Sequence, residues 1–461
     1  MAAVIQEFDD VIFGGGKGGK SLAMELAKAG HNVALIERGQ IGGTCINVAC
    51  IPTKTMVASA KVNYSARNAA QFGVTVDAPK PSITSVIERK RKVVGGMVDA
   101  HWKMFTSTPN MEFIVGVGKF VGERTVEVEL ADGGVRVVRG KRVYINTGSR
   151  TTIPKIDGID SVPYLTSTSI MELSELPSHL AIIGGGYIAL EFAQIFARLG
   201  SKVSVLLRGR FLPREDADIA AEIRKVLEED GISFLDDAAT SSVRTAGGGV
   251  ELNYTQAGAA TSMDCSHILV AVGRSLNTEN LGLEAAGVEL GKHGAIAVNE
   301  RLETSAKDVY AIGDCTGGPM FTHASWDDYR ILRDNVLHNA GRTTTGRLMP
   351  YALFIDPELG RVGMTEEEAR AAGKNILVAS LPAAKVPRAN TAGETQGLLK
   401  AVVDADTKQI LGCSLFCHSA GEVMSVVQMA MLGKLPYTTV RDTIFTHPTM
   451  SESLNLLFAT I

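Results

Sequence analysis

Twice in this chain a short apolar strand runs into a cluster of glycines and then into a helix-forming stretch. This repeated motif constrains the fold more than any other feature. Asp10-Val11-Ile12-Phe13 leads into Gly14-Gly15-Gly16-Lys17-Gly18-Gly19 and SLAMELAKAG, and after a turn at Gly30 the strand VALIE ends at Glu37. Leu180-Ala181-Ile182-Ile183 leads into Gly184-Gly185-Gly186-Tyr187-Ile188-Ala189, then LEFAQIFARLG and the strand KVSVLL. Gly14 to Glu37 and Gly184 to Leu207 span the same 23 positions. Gly14, Gly16 and Gly19 allow a tight turn, let a pyrophosphate approach bare backbone at a helix N-terminus, and let helix and strand pack closely; the acid closing the second strand takes ribose hydroxyls. A glycine-rich turn without a ligand explains less, because strand, helix and acid all fall at the required spacing.

The two motifs differ where they end. The first closes on Glu37; the second closes on Leu207, followed by Arg208 and, shortly after, Arg214. A carboxylate at that place holds a free 2′-hydroxyl and repels a 2′-phosphate, whereas arginine forks favour the phosphate. The first motif is therefore expected to hold an adenine dinucleotide with a free ribose, and the second NADPH, with NADH the other possibility. Plain surface charge is the competing reading of the two arginines.

At 461 residues the chain has room for about three domains, at roughly 150 residues each. A net charge of −4, with no basic block longer than Arg89-Lys90-Arg91-Lys92, argues against a nucleic-acid partner; that run reads as a solvated helix face. No apolar run of about 18 residues occurs, and MAAVIQEFDD lacks the regions of a signal peptide, so no membrane association and a cytoplasmic location are expected. Two of the six cysteines, Cys45 and Cys50, stand close together in GGTCINVACIPTK. In a reducing compartment such a pair means metal binding or redox chemistry. Beside two dinucleotide motifs, redox is the better reading: a disulfide accepts two electrons and passes them on by thiol exchange.

In order along the chain come the first glycine motif, GGTCINVACIPTK, GGGYIALE, AIGDCTGG at 311–318 and FTHPTMSE at 445–452. This series, covering essentially the whole chain, resembles the pyridine nucleotide-disulfide oxidoreductases, which include lipoamide dehydrogenase, glutathione reductase and mercuric reductase. GDCTGGPMFTHASWDDYR and IFTHPTMSESLNLLF resemble most the reactive-chlorine-resistance flavoproteins within that family.

The resemblance implies an α/β chain of the glutathione reductase type, with two Rossmann-like domains and an α+β dimerisation domain. The expected divisions are an FAD domain at 1–150, an NAD(P)H domain at 151–274, a central segment at 275–345 completing the FAD site, and a dimerisation domain at 346–461. It also implies a redox-active Cys45–Cys50 disulfide, with Cys50 facing the flavin and Cys45 meeting the substrate. Lys54, paired with Glu191, is placed by the flavin's reactive nitrogen. His447, assisted by Glu452, is the acid/base and reaches across from the other subunit of a homodimer. FAD contacts fall on Gly14, Gly16, Gly19, Glu37, Thr147, Gly148 and Asp314; further cofactor contacts fall on Gly43, Thr44, Gly118, Met320, Gly184, Gly186, Ile188 and Gly273. One departure is Ala49, where relatives commonly have glycine before the second cysteine.

The implied activity passes electrons from NADPH through FAD and the dithiol to a small oxidant: a hypothiocyanous acid-type species, a disulfide, or a metal ion such as Cu(II). Mercuric reductase is an alternative disfavoured by a tail, SLNLLFATI, without cysteine and by the lack of an N-terminal metal-binding domain. Dihydrolipoyl dehydrogenase is disfavoured by Leu207-Arg208, and a redox sensor without turnover by the completeness of the motifs. No metal site is expected: Cys413 and Cys417, on alternate residues of a strand, read as small core residues. Cys265 and Cys315 read as packed, and His323 as structural.

Overall fold

The computed structural model describes residues 4–461; the first three residues of the expected FAD domain lie outside them. The chain divides into two compact units. One comprises Met1–Pro52, Glu88–Thr152 and Arg274–Arg347, the other Thr53–Ile87, Ile153–Gly273 and Leu348–Ile461.

The first unit is built on a six-stranded sheet. Ile5–Phe13 lies in parallel between Val33–Glu37 and Val135–Ile145, with Asp10 beside Val33 and Phe13 beside Ile145. Met111–Gly122 joins in parallel beside Val33–Glu37, and Val309–Ala311 beside Val135–Ile145. The far ends of the two long strands are bridged by Thr125–Leu130, antiparallel to both. All five residues of VALIE are buried, the continuous burial expected of a parallel strand covered on both faces. Alternation sorts the side chains: Val11, Phe13 and Ile36 enter one core, while Ile12, Val33 and Leu35 enter another with Leu22 and Leu26 of the helix Lys17–Lys28.

The second unit repeats the design on a smaller scale. His267–Val270, His179–Ile183, Lys202–Leu206 and Ile232–Leu235 form a parallel sheet in that order. A three-stranded antiparallel sheet, Ala238–Ala246, Gly249–Gln256 and Ala259–Cys265, belongs to the same unit. Residues 348–461 contribute a five-stranded antiparallel sheet centred on Ile410–Cys417, with the helix Ala420–Leu432. This mixture of α/β and α+β parts is the expected fold class. Among the described residues no helix is long and apolar enough to cross a membrane.

One expectation is corrected. The basic run at 89–92 is not a wholly solvated face, because Lys90 is buried. In the helix Ile83–Ser107 it falls at helical spacing from Ile83 and Ile87, both buried, and so shares their stripe.

The helix of the second glycine motif, Tyr187–Leu199, is tied into its unit by a buried charge. Arg198 donates from Nε to Asp230, 2.9 Å away, and from Nη1 to Asp356, and its guanidinium lies 3.8 Å from the Tyr64 ring centre. Replacing Arg198 with alanine leaves Asp230 without a cation, while Asp356 keeps Lys61 at 2.8 Å; breaking a buried pair costs about 3–5 kcal/mol. We expect a correspondingly lower urea midpoint, with part of the loss recovered when Asp230→Asn is added.

Candidate active site

The first glycine motif forms a cradle of bare backbone. Gly14 has φ +94°, and a Cβ there would lie 2.3 Å from the carbonyl oxygen of Asn146; a Cβ at Gly19 would lie 2.2 Å from the oxygen of Gly14. Gly16 caps the helix Lys17–Lys28 in an extended conformation without any side-chain bond. The first helical N–H groups therefore have no partner within the motif, which suits an anion. Glu37 is buried at the end of its strand, accepting from Gly15 N at 2.8 Å on one oxygen and from Gly39 N and Gln40 N at 3.1 Å on the other. A carboxylate has about four acceptor positions, so one remains for a ribose hydroxyl. This cradle fits the adenosine diphosphate half of FAD.

The cysteine segment is pressed onto the same cradle. A Cβ at Gly43 (φ +80°) would lie 2.5 Å from the Cα of Gly16. Gly43 begins the short helix Thr44–Val48, which stops at Ala49, and a second helix, Cys50–Arg67, starts immediately. Pro52 suits that start, since it supplies no N–H where none is needed. In one unbroken helix, residues five apart would point about 140° away from each other. The break removes that separation, so the Cys50 thiol acts directly on Cys45. Ala49 has φ −141°, outside the left-handed region, so the departure from glycine is accommodated.

Both cysteines carry free thiols here. The Cys45 thiol is pushed well above its usual pKa by the hydrogen bond to Cys50, by burial and by the charge of Cys50, against the opposing Thr322 hydrogen bond and Lys20 charge. The Cys50 sulfur lies 3.3 Å from Thr322 Oγ1, at the start of the helix Thr322–His338. Asp314 accepts from the Ser149 hydroxyl, and Arg274 donates to the same hydroxyl at 2.7 Å and to the Ser149 carbonyl at 2.8 Å. Burial depresses the Arg274 guanidinium, while the charges of Asp314 and Cys50 oppose that shift. Thr147 and Gly148 follow the strand Val135–Ile145, and the Thr147 carbonyl accepts from Asn277. Gly118 packs under the Phe13 ring, and Met320 is exposed.

In the second unit, Lys54 donates to both oxygens of the buried Glu191 at 2.8 and 2.6 Å, and Glu191 also accepts from Phe354 N at 3.0 Å. A Cβ at Gly184 would meet the Ala271 carbonyl at 2.4 Å, and Gly186 caps the helix that carries Ile188 without a side-chain bond. Leu207 is buried over this turn: a Cβ at Gly185 would lie 2.1 Å from its Cδ2. Arg208 and Arg214 are exposed, and Gly273 has φ +142°. His447 Nδ1 lies 2.9 Å from both oxygens of Glu452, with the ring largely exposed. With its proton held toward Glu452, the ring keeps the Nε2 lone pair available to accept a proton.

Thr322 and Arg274, which sequence reasoning did not single out, join the site only through packing. A weak signal existed for Arg274, next to Gly273. The other cysteines lie in the interior. Burial raises Cys265 and Cys315 to about 11 and Cys417 to about 12, and raises Cys413 further. His323 stacks on Phe321 with ring centres 5.1 Å apart. Gly43→Ala should push the cysteine helix off the phosphate cradle. We expect protein purified without yellow colour, read as the ratio of flavin to protein absorbance, while Ala49→Gly keeps a full complement.

Residues 8–328 match the pyridine nucleotide-disulphide oxidoreductase family, and residues 349–457 match its dimerisation domain. The chain is 42% identical over 462 residues to a probable pyridine nucleotide-disulfide oxidoreductase, RclA, of Escherichia coli, covering 99% of this chain and all of that one. It is 35% identical to a mercuric reductase of Streptomyces lividans, over 97% of this chain and 95% of that one. A solved Cu(II) complex of the HOCl-induced flavoprotein disulfide reductase RclA from Escherichia coli superposes with a TM-score of 0.92 at 41% identity, covering 99% of this chain and all of that one.

Proposed function

This chain belongs to the pyridine nucleotide-disulphide oxidoreductase family, and from that premise we propose that it uses NADPH to reduce a small oxidant through the Cys45/Cys50 dithiol. Members of the family bind FAD and use NAD(P)H. When bound, FAD would supply the two-electron chemistry that links a nicotinamide to a neighbouring disulfide. The observation that carries the proposal is the pairing of two cysteines at two helix starts, pressed by Gly43 onto the Gly16 cradle.

In the reduced form we assign Cys50 the role of inner thiolate, beside Thr322, and Cys45 that of outer thiol. Cys45 loses its proton to a base and attacks the electrophilic sulfur of an oxidant X–S–Y, forming a Cys45–S bond and releasing X⁻, which takes up a proton. The Cys50 thiolate then attacks Cys45, expels the second half as a thiolate, and restores the disulfide. Two electrons leave the dithiol and two reach the substrate. His447, oriented by Glu452, is the base, and we place it at the partner subunit's cysteines in a homodimer built on the dimerisation domain. The substrate class we favour is a hypothiocyanous acid-type oxidant, with Cu(II) as a further acceptor, in stress defence. Steady-state NADPH oxidation with hypothiocyanous acid, oxidised glutathione, oxidised lipoamide, Cu(II) and Hg(II) tests it; turnover fastest with oxidised lipoamide or Hg(II) would overturn the substrate assignment.

Two variants test the roles. Cys45→Ser should leave a Cys50 thiolate against the oxidised flavin, giving a long-wavelength absorbance band without reductant, whereas Cys50→Ser should abolish the band. The reverse pattern exchanges the two roles. Arg208→Ala combined with Arg214→Ala should raise the KM for NADPH far more than for NADH, because both guanidiniums are exposed beyond the buried Leu207. Equal kinetics with the two nucleotides in the unaltered enzyme would remove the 2′-phosphate role.

A further inference from the structure

The helix of the first glycine motif carries a lysine that the chemistry above leaves without a role. Lys20 is only 6% exposed. A buried ammonium is costly unless paired, and carboxylates are its usual partners. Among the described residues no carboxylate pairs with Lys20. Its Nζ instead contacts Nε2 of His101, on the helix Ile83–Ser107.

The histidine is arranged to receive it. His101 Nδ1 lies 2.6 Å from the carbonyl oxygen of Met97, which only accepts, so the ring proton is on Nδ1. Nε2 is then a lone pair, and Lys20 is the donor. Burial, together with the charges of Lys20 and Lys17, holds His101 below its usual pKa despite the Met97 bond, so the ring stays neutral. The same ring packs against the cysteine loop: a Cβ at Gly42 would lie 3.4 Å from His101 Cγ. Gly42 and Gly43 thus bring three elements together: the start of the first helix, the start of the Cys45 helix, and His101.

We propose that Lys20, oriented by His101, is a positioning residue whose buried positive charge makes Cys45 the nucleophile of the reduced protein. Three physical facts carry this. The ammonium is desolvated, so its field is weakly screened. It has a neutral acceptor rather than a counter-ion, so its charge is not cancelled. And it is held next to the Cys45 loop: Gly43, which begins the Cys45 helix, is pressed on Gly16, which begins the Lys20 helix, and the His101 partner of Lys20 packs on Gly42. Lys20, depressed to about 8 by burial and Lys17 against the opposing charge of Cys45, in turn draws the Cys45 thiol down.

The groups acting on Cys45 and its partners come from every neighbouring element. Cys50 opposes Cys45 ionisation, and Thr322 assists it from the helix Thr322–His338. Lys17, whose Nζ lies 4.6 Å from the Trp326 ring centre, adds a second cation to the Lys20 side. Arg274 interacts with Cys50 rather than Cys45. Lys20 is therefore the one cation among these whose charge favours the outer thiolate directly.

The proposal rests on Cys45 being the outer thiol, and its test separates the two claims. The dithiol of the FAD-loaded protein is reduced with dithiothreitol, freed of it, and treated with iodoacetamide across pH 5–10. The thiolate sulfur displaces iodide, and mass spectrometry reports which cysteine carries the new S–C bond. In the unaltered protein Cys45 should be labelled first; labelling of Cys50 first defeats the thiol assignment itself. In Lys20→Met, of similar volume and uncharged, the Cys45 profile should move up by about one pH unit, with labelling near pH 7 about tenfold slower. Lys20→Arg should move it much less, and His101→Leu should move it in the same direction as Lys20→Met. An unchanged Cys45 profile in Lys20→Met overturns the proposal, as it does in His101→Leu should Lys20→Met not fold. Loss of FAD from Lys20→Met with an unchanged Cys45 profile also overturns it, and assigns Lys20 to the cofactor's phosphates.

Discussion

The first unit depends on one contact between two pieces of main chain, Gly43 against Gly16. Neither residue has a Cβ, and a Cβ on Gly43 would sit 2.5 Å from Gly16 Cα. Because of that approach, the loop that carries the cysteines and the glycine turn of the first motif share one surface. Everything downstream inherits the constraint. Gly42 then packs on His101, Thr44–Val48 starts against the cradle, and the break at Ala49 turns Cys50 back toward Cys45. No side-chain interaction in the site could replace it, because the distance between the loops is shorter than any side chain allows.

The two glycine motifs show how one backbone solution is given different chemistry by one residue. The strand-end residue is buried in both. Glu37 spends its carboxylate on three backbone N–H groups, which fix its orientation. Leu207 fills the corresponding place with methyl groups against Gly185, so polar recognition has to come from beyond it, where Arg208 and Arg214 are exposed. A buried acid and a buried leucine are both tolerated because the glycines, rather than that side chain, hold the strand to the helix.

Much of this is legible in the sequence because it is local. Strand, glycines, helix and closing residue lie within a few dozen positions, and the spacing alone declares both motifs. The cysteine pair is legible for the same reason, as is His447 with Glu452, five residues on. What the sequence does not declare is convergence. Thr322 lies 272 positions from Cys50, and His101 lies 81 from Lys20; only packing brings them together. Lys20 stands in plain view within the first motif, yet nothing in GGGKGGKSL marks it as buried. The interleaving of the two units is hidden likewise, because each is assembled from three separate stretches of chain.

The helix starts at Gly16 and Gly43 have no side-chain cap. A serine or aspartate there would satisfy an N–H and stabilise the helix by about 1 kcal/mol. Glycine forgoes that; on the function proposed above, the cofactor's phosphates would take those N–H groups. The dinucleotide would then serve as a capping group as well as a carrier, binding the folded chain and not the unfolded one. Stability would become a matter of mass action, growing with the logarithm of free cofactor over its dissociation constant. The same glycines would make the protein's lifetime a measure of cofactor supply.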